Sequence, residues 1–308
     1  MSGRRISGFL LTVLAAVLLF IAAVHFLSPA RDERPTIIPP PDNPAMLDLS
    51  GFTLSWSDEF DGESLDPLKW AGFRCDGDRA VIRQGGWWHM DFATVEEGCL
   101  HISTTYHGDG YKGGKPGWYS CGICTNGLFE QTFGYFEIRC ILPKGEGLWS
   151  AFWLLPEDFN HTVGNGGLDG AELDVMESPN YRYKLSNDVN VVTSNIHIDG
   201  YGKEERSTCV ATPFISATDP YEEFTTYGIE WNQDEYVFYV NGIETGRSSF
   251  GGTSRVPEYL LLTVEVGGSR GVAGASWAGR ALVRDSEPTD FVVDYVRVYQ
   301  YNPPSVNE

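Results

Sequence analysis

Short runs of alternating residues, separated by turn signals, recur along this chain from about residue 50 to residue 302. The run at 135–142 would place its four even-numbered residues, all apolar, on one face of a strand. The run at 236–240 is followed by Asn241-Gly242, a strong signal for a β-hairpin. No segment after the amino-terminal region shows sustained helical periodicity. We therefore predict an all-β fold, and its roughly 255 residues suit one sandwich.

The stretch Gly170-Ala-Glu-Leu-Asp-Val-Met-Glu-Ser178 interleaves carboxylates with apolar residues. In a strand, Glu172 and Asp174 would share a face, whereas Glu177 would be out of phase by one residue. A β-bulge at Val175-Met176 would return Glu177 to that face. Two carboxyls brought within about 5–5.5 Å of each other would suit a retaining glycosidase.

A strand with one solvated face would explain the same alternation without any catalytic role. Three carboxylates on one face repel one another, however, which lowers stability unless function requires them there. In glycoside hydrolysis one carboxylate must be ionised to attack the anomeric carbon, and the other must be protonated to assist the leaving oxygen. A third acid between them can separate their pKa values.

The amino-terminal 28 residues read as a signal peptide or an uncleaved signal anchor. Arg4 and Arg5 precede an apolar run from Phe9 to Leu27, which is about long enough to span a bilayer. Residues 29–48 form a proline-rich linker, 49–302 a catalytic domain and 303–308 a tail. We therefore expect an extracytoplasmic catalytic domain, either secreted or held at a membrane by the amino-terminal segment.

The formal net charge of −20 restricts the partners of the chain. Nucleic acid is excluded, because binding to phosphates requires a basic surface. Sulfated polysaccharides are disfavoured unless a local arginine cluster receives them, and a neutral glycan fits this surface better.

The chain has six cysteines, which in an exported protein suggest disulfides. Cys121-Gly-Ile-Cys124 lacks the strand-to-helix context of a redox pair and the matching second pair of a zinc site. We predict a structural bridge within this pair or to a neighbouring cysteine. Cys140, on an apolar strand face, could instead be a core thiol.

The segment Glu172–Glu177 resembles the bulged Glu-x-Asp-x-x-Glu signature of glycoside hydrolase family 16, the laminarinase and β-glucanase family. Further blocks resemble the family and occur in its order along the chain: Ser57–Gly62, Gly134–Arg139, Leu142–Gly145, Leu148–Pro156, Tyr227–Trp231, Phe238–Gly242 and Val293–Tyr299.

The resemblance implies a concanavalin A-like β-jelly-roll sandwich of two antiparallel sheets with a concave substrate cleft. It also assigns roles: Glu172 as nucleophile, Glu177 as general acid and base, and Asp174 as the acid between them. Trp149 and Trp153, which share a strand face, are candidate sugar platforms. His197 is expected near the acid/base on the neighbouring strand.

Glu59 and Asp294 resemble positions where family members can hold a structural calcium, although catalysis itself requires no cofactor. The resemblance implies a retaining endo-hydrolase of β-1,3- or mixed-linkage β-1,3-1,4-glucan, and we expect the protein to be a monomer. A transglycosylase or β-galactan-type hydrolase of the same fold, and a non-catalytic β-glucan-binding module, are the alternatives. Binding modules typically lose the acidic pair, which this chain retains.

Overall fold

A computed structural model describes residues 40–75, 79–159, 164–179, 192–211, 219–281 and 288–303. The predicted signal segment, most of the predicted linker and nearly all of the tail lie outside these residues. Among the described residues, no helix combines the length and apolar character needed to cross a membrane.

The described residues form twenty strands and one short 3₁₀ turn at Met90–Phe92. In chain order the strands are β1 (Phe52–Asp58), β2 (Ala71–Gly72), β3 (Val81–Arg83), β4 (Gly86–Trp88), β5 (Ala93–Glu96), β6 (Cys99–His107), β7 (Gly117–Ser120), β8 (Gly122–Cys124), β9 (Gly134–Ile141), β10 (Leu148–Leu155), β11 (Ala171–Glu177), β12 (Thr193–Ile198), β13 (Arg206–Ala211), β14 (Thr225–Trp231), β15 (Tyr236–Val240), β16 (Ile243–Ser248), β17 (Tyr259–Val266), β18 (Gly268–Ser269), β19 (Val272–Ala273) and β20 (Thr289–Tyr301).

Two large sheets organise these strands. The eleven-stranded sheet has the order β16-β15-β14-β9-β20-β6-β7-β4-β3, with β1 beside β20 and β5 beside β6. The seven-stranded sheet has the order β13-β12-β11-β10-β17-β8-β2. The predicted antiparallel sandwich is confirmed, with one difference: β4 and β7 pair in parallel. Strands β18 and β19 form a separate small hairpin.

The core lies between the two sheets. In β9, Phe136, Ile138 and Cys140 are fully buried, which confirms the predicted apolar face. They belong to the same hydrophobic cluster as Phe152 and Leu262 of the seven-stranded sheet. The other face of the seven-stranded sheet is therefore free to carry polar groups.

The hairpin predicted at Asn241-Gly242 is present between β15 and β16. Both residues have positive φ, 50° and 73°, as a two-residue type I′ turn requires. The Leu47 N–H donates to the Gly242 carbonyl at 2.8 Å, and the Glu244 N–H donates to the Ala45 carbonyl at 2.9 Å. The folded domain therefore begins by Ala45, before the predicted boundary at residue 49.

No disulfide joins any of the six cysteines in the structure, so the predicted bridges are absent. A bridge within the Cys121–Cys124 pair is prevented by geometry. Residues three apart in an extended chain point to opposite faces, and their Cα atoms lie about 10 Å apart, beyond the reach of a disulfide. The Cys75 and Cys121 thiols instead lie beside each other, and they contact the Met90 sulfur at 4.0 and 3.9 Å. Cys140 is the core thiol that its strand position allowed.

Candidate active site

Strand β11 carries the three acids and is bulged where the sequence predicts. Across from β10, Trp153 pairs with Asp174 and Phe152 pairs with Met176, so Val175 is the extra residue. The register of β11 against β12 shifts at the same place. Because of this bulge, Glu172, Asp174 and Glu177 all line one cavity of about 330 Å³.

Two further strands of the same sheet contribute residues to this cavity. Strand β10 contributes Trp149, Ala151 and Trp153, and β17 contributes Thr263 and Glu265. These residues alternate with core residues along each strand, which is why they share the outer face of the sheet. The cavity is an open site on the seven-stranded sheet with the three acids near its centre.

Two of the acids accept hydrogen bonds from neighbouring side chains, and the third lies beside a histidine. The Tyr201 hydroxyl donates to Glu172 Oε2, and the Asn195 amide donates to Glu177 Oε2 at 2.8 Å. His197 Nε2 lies 3.4 Å from Asp174 Oδ2, and its Nδ1 lies 3.1 Å from Glu205 Oε1. His197 lies on the strand beside β11, opposite Glu172, whereas the residue bonded to Glu177 is Asn195.

Burial determines the protonation of the three carboxyls. It raises the pKa of Glu172 to about 8, and the neighbouring Asp174 adds to the rise. Burial likewise raises the pKa of Asp174 to about 7. The pKa of Glu177 is raised well above its ordinary range, first by burial and then by the charges of Asp174 and Glu172.

This order of pKa values separates two chemical roles. Glu177 retains a proton at neutral pH and can donate it to a leaving oxygen. Glu172 receives a hydroxyl hydrogen bond from Tyr201, and the charge of His197 also lowers its pKa. Of the two glutamates, Glu172 is therefore the more readily ionised, which suits it to the role of nucleophile. The arrangement suits double displacement at an anomeric centre.

A model built on the glycoside hydrolase family 16 domains of β-porphyranases A–D matches residues 53–301. The chain belongs to glycoside hydrolase family 16. The match spans both sheets, so the predicted resemblance is confirmed over the whole sandwich.

Two curated proteins represent the relatives of this family 16 chain. A β-glucanase from Rhodothermus marinus is 30% identical over 280 residues, which cover 81% of this chain and 86% of that protein. A keratan-sulfate endo-1,4-β-galactosidase from Sphingobacterium multivorum is 27% identical, over 84% of this chain and 57% of that protein. The chain spans about 40% of the length of two further curated relatives.

Solved structures support the same family 16 fold. The laminarinase catalytic domain from Thermotoga maritima superposes with a TM-score of 0.62 and is 27% identical. The superposition covers 82% of this chain and all of that domain. The jelly-roll sandwich predicted from the resemblance is thereby confirmed.

The two predicted tryptophan platforms differ in their accessibility. Trp149 is half-buried in the cavity, and its ring meets that of Trp277 edge-on at 5.7 Å. Trp153 is 7% exposed; its indole N–H donates to Thr263 Oγ1 at 3.2 Å, and its ring packs edge-on against Phe73. Trp149 can therefore contact a sugar face, whereas Trp153 forms the floor.

The predicted calcium ligands are both engaged by arginines. Arg297 holds Glu59 through two hydrogen bonds of 3.0 and 2.7 Å. Arg139 donates to Asp294 Oδ2 at 2.5 Å. Neighbouring guanidinium groups already supply positive charge at both carboxylates, and the calcium site stays a prediction.

Among the described residues, one cluster has the spacing of a metal site, and it lies in the cleft. Ligand atoms of Glu172, Asp174 and His197 all lie within 4.8 Å of one another. Occupancy by a divalent cation would neutralise the attacking carboxylate.

Several cleft residues were not predicted from the sequence. Tyr201 lies in Gly200-Tyr-Gly202, a turn that gives little indication of a catalytic contact. Arg74, Arg83 and Glu265 come from separate segments, and only the fold brings them into the cavity. Asn195 is the exception, since its shared strand face with His197 could have revealed its proximity to the acids.

Proposed function

We propose that this chain is a retaining endo-glycoside hydrolase of a neutral β-linked glucan, with β-1,3 or mixed β-1,3-1,4 linkages. The observation that carries the proposal is the bulged strand, which presents Glu172, Asp174 and Glu177 to one cleft beside Trp149. The Rhodothermus relative is named a β-glucanase and the Thermotoga structure a laminarinase, which supports a glucan as the substrate.

The reaction proceeds in two steps. Glu172 attacks the anomeric carbon while Glu177 gives its proton to the glycosidic oxygen, so the sugar–oxygen bond breaks and a glycosyl ester forms on Glu172. Glu177, now ionised, takes a proton from water, and the hydroxide attacks the same carbon and releases Glu172. Two inversions at one carbon retain the configuration.

The first test is a reducing-sugar screen of residues 40–308 on laminarin, lichenan, agarose, β-1,3-galactan and xyloglucan. Proton NMR of the first-formed reducing end then reports the stereochemistry. We expect release from laminarin or lichenan with the β anomer formed first. Initial formation of the α anomer would contradict the double displacement. Lengthened products from a single oligosaccharide would indicate a transglycosylase.

The second test assigns the two glutamates. Glu172→Gln and Glu177→Gln should each remove most hydrolysis, and loss of a general acid alone is worth about 10²–10⁴-fold. Glu96→Gln, an exposed position on the other sheet, is the matched control and should be fully active. Azide added to a Glu177→Ala variant should restore turnover of an aryl glycoside and give a β-glycosyl azide. A Glu172→Gly variant should give the α product.

A second candidate substrate is an anionic galactan. Arg74 and Arg83 both line the cavity, and Arg74 makes no ion pair with a described residue. They supply the local arginine cluster that a polyanion would require on an acidic surface. The matching porphyranase model and the keratan-sulfate relative support this candidate. This candidate is tested by adding keratan sulfate and desulfated keratan sulfate to the screen. Only a cleft that is selective for anions would prefer the sulfated form.

We also propose that the catalytic domain acts outside the cytoplasm as a monomer. The basic residues Arg4 and Arg5 before the apolar run of Phe9–Leu27 support export. All of the acids and their hydrogen-bonding partners come from one chain. Fractionation of expressing cells and light scattering on the purified domain test these two points. A cytoplasmic pool or a stable dimer would contradict them.

A further inference from the structure

Glu265 is a buried carboxylate in the cleft that the proposed reaction does not use. It lies on β17 opposite Trp149 of β10, and only 3% of its surface is exposed. Its Oε1 accepts a hydrogen bond of 2.5 Å from Arg83 Nε. Its Oε2 is buried and has no hydrogen-bonding partner among the residues that the structure describes.

An unpaired buried oxygen of this kind calls for a ligand donor. Buried polar atoms in native proteins are nearly always hydrogen-bonded, since an unsatisfied one loses its solvation without compensation. Glu265 lines the cavity, so a group bound there can reach it. A sugar hydroxyl is a donor of suitable size.

The pairing with Arg83 differs from the other arginine–carboxylate pairs of this protein. Arg297 holds Glu59 with two nitrogens on two oxygens, and Arg247 holds Glu244 in the same way. Such bidentate pairs satisfy both carboxylate oxygens. Arg83 binds Glu265 through Nε alone, which leaves one oxygen and the remaining guanidinium donors unused among the described contacts.

Arg83 is itself held in place. Its guanidinium carbon lies 5.1 Å from the ring centre of Trp88, and that ring is buried with its N–H bonded to the Val264 carbonyl at 3.0 Å. A guanidinium stacked on a buried ring can present its free N–H groups in a defined direction. The pair therefore offers one acceptor and adjacent donors from a rigid support.

The Glu265–Arg83 pair lies beside the catalytic acids and not among them. Ala151 is the cross-strand partner of both Glu177 and Thr263. The Trp149–Glu265 pair lies two residues further along the same strands, about 7 Å away. One ring of a bound chain could contact this pair while the next ring lies over the acids.

We propose that Glu265 and Arg83 bind two neighbouring hydroxyls of one pyranose ring in a subsite adjacent to the catalytic acids, with Trp149 against the apolar face of the ring. The proposal rests on the proposed glycoside hydrolase function and deepens it.

The test compares wild type with Glu265→Ala and with the isosteric Glu265→Gln on a defined hexasaccharide of the glucan that the screen identifies. Loss of one charge-assisted hydrogen bond should lower kcat/KM by about 10–100-fold, mainly through KM. The positions of cleavage should shift, because a subsite that has lost its anchor no longer fixes the register of the chain. Glu96→Gln is the control and should change neither quantity.

Three outcomes separate this inference from the proposed function. Unchanged KM and unchanged cleavage positions in both Glu265 variants would overturn the subsite while leaving the hydrolase intact. A lower melting temperature together with a lower kcat, without a change of KM, would show that the Arg83–Glu265 ion pair only stabilises the fold. This outcome would also overturn the subsite. If wild type cleaves no glucan, calorimetry of laminarihexaose binding to wild type and Glu265→Gln decides: weaker binding in the variant supports the subsite, and equal or absent binding refutes it.

Discussion

The central acid of the bulged strand, Asp174, should determine the pH at which the nucleophile becomes active. Ligand oxygens of Asp174 and Glu172 lie within 4.8 Å of each other in a buried site. At an effective dielectric constant of about 20, that separation corresponds to about 3.5 kcal/mol, or about 2.5 pKa units. Asp174→Asn removes the charge and keeps the shape, so the pKa of Glu172 should fall from about 8.

The acidic limb of the kcat/KM profile should therefore move to lower pH by up to about 2.5 units in Asp174→Asn. The assay is a pH series on soluble laminarin at constant ionic strength, with Glu96→Gln as the charge-matched control whose limbs should stay in place. If the acidic limb of the kcat/KM profile does not move in Asp174→Asn, Asp174 is already neutral when Glu172 ionises. A limb that moves upward would refute the electrostatic coupling altogether.

Three further predictions concern neighbouring groups. Tyr201→Phe removes the hydroxyl that lowers the pKa of Glu172. The acidic limb of the kcat/KM profile should therefore move to higher pH in this variant, opposite to Asp174→Asn. A shift to lower pH would contradict the role of the hydrogen bond. Burial raises the pKa of Glu258 to about 8, so as pH rises from 4 to 9 the wild type should lose about 4–5 kcal/mol more stability than Glu258→Gln, which keeps the other buried acids but lacks this one. Urea unfolding across pH measures this, and a pH-independent difference between the two proteins would refute it. Gly122→Ala would place a methyl group 2.7 Å from the buried Trp88 ring, so it should destabilise the fold by about 1–3 kcal/mol. Thermal unfolding measures this change. An unchanged melting temperature would show that the ring can move and would refute the prediction.

Local sequence was sufficient where a strand's own periodicity carried the information. The bulge in β11 follows from one odd spacing between Asp174 and Glu177, and the hairpin at Asn241-Gly242 follows from two residues that tolerate positive φ. The buried face of β9 likewise follows from alternation alone. Each of these features depends on neighbours within a few residues, so the sequence displays it directly.

Predictions that required knowledge of a distant partner were less successful. Trp153 shares a strand face with Trp149, yet Phe73 and Thr263 cover it. The cysteines suggested bridges, but strand geometry separates Cys121 from Cys124. Glu59 pairs through both of its oxygens with Arg297 from the far end of the chain, a contact that its own sequence neighbourhood does not indicate.

The sequence by itself determined that this chain forms a β-sandwich of glycoside hydrolase family 16 and that Glu172, Asp174 and Glu177 share one strand face. Only the tertiary structure decided which groups surround the three acids. Tyr201, Arg83 and Glu265 line the same cleft although they lie far apart in the sequence. The physical reason is that alternation is a property of one strand, whereas burial, pKa and subsite chemistry depend on the strands that lie beside it.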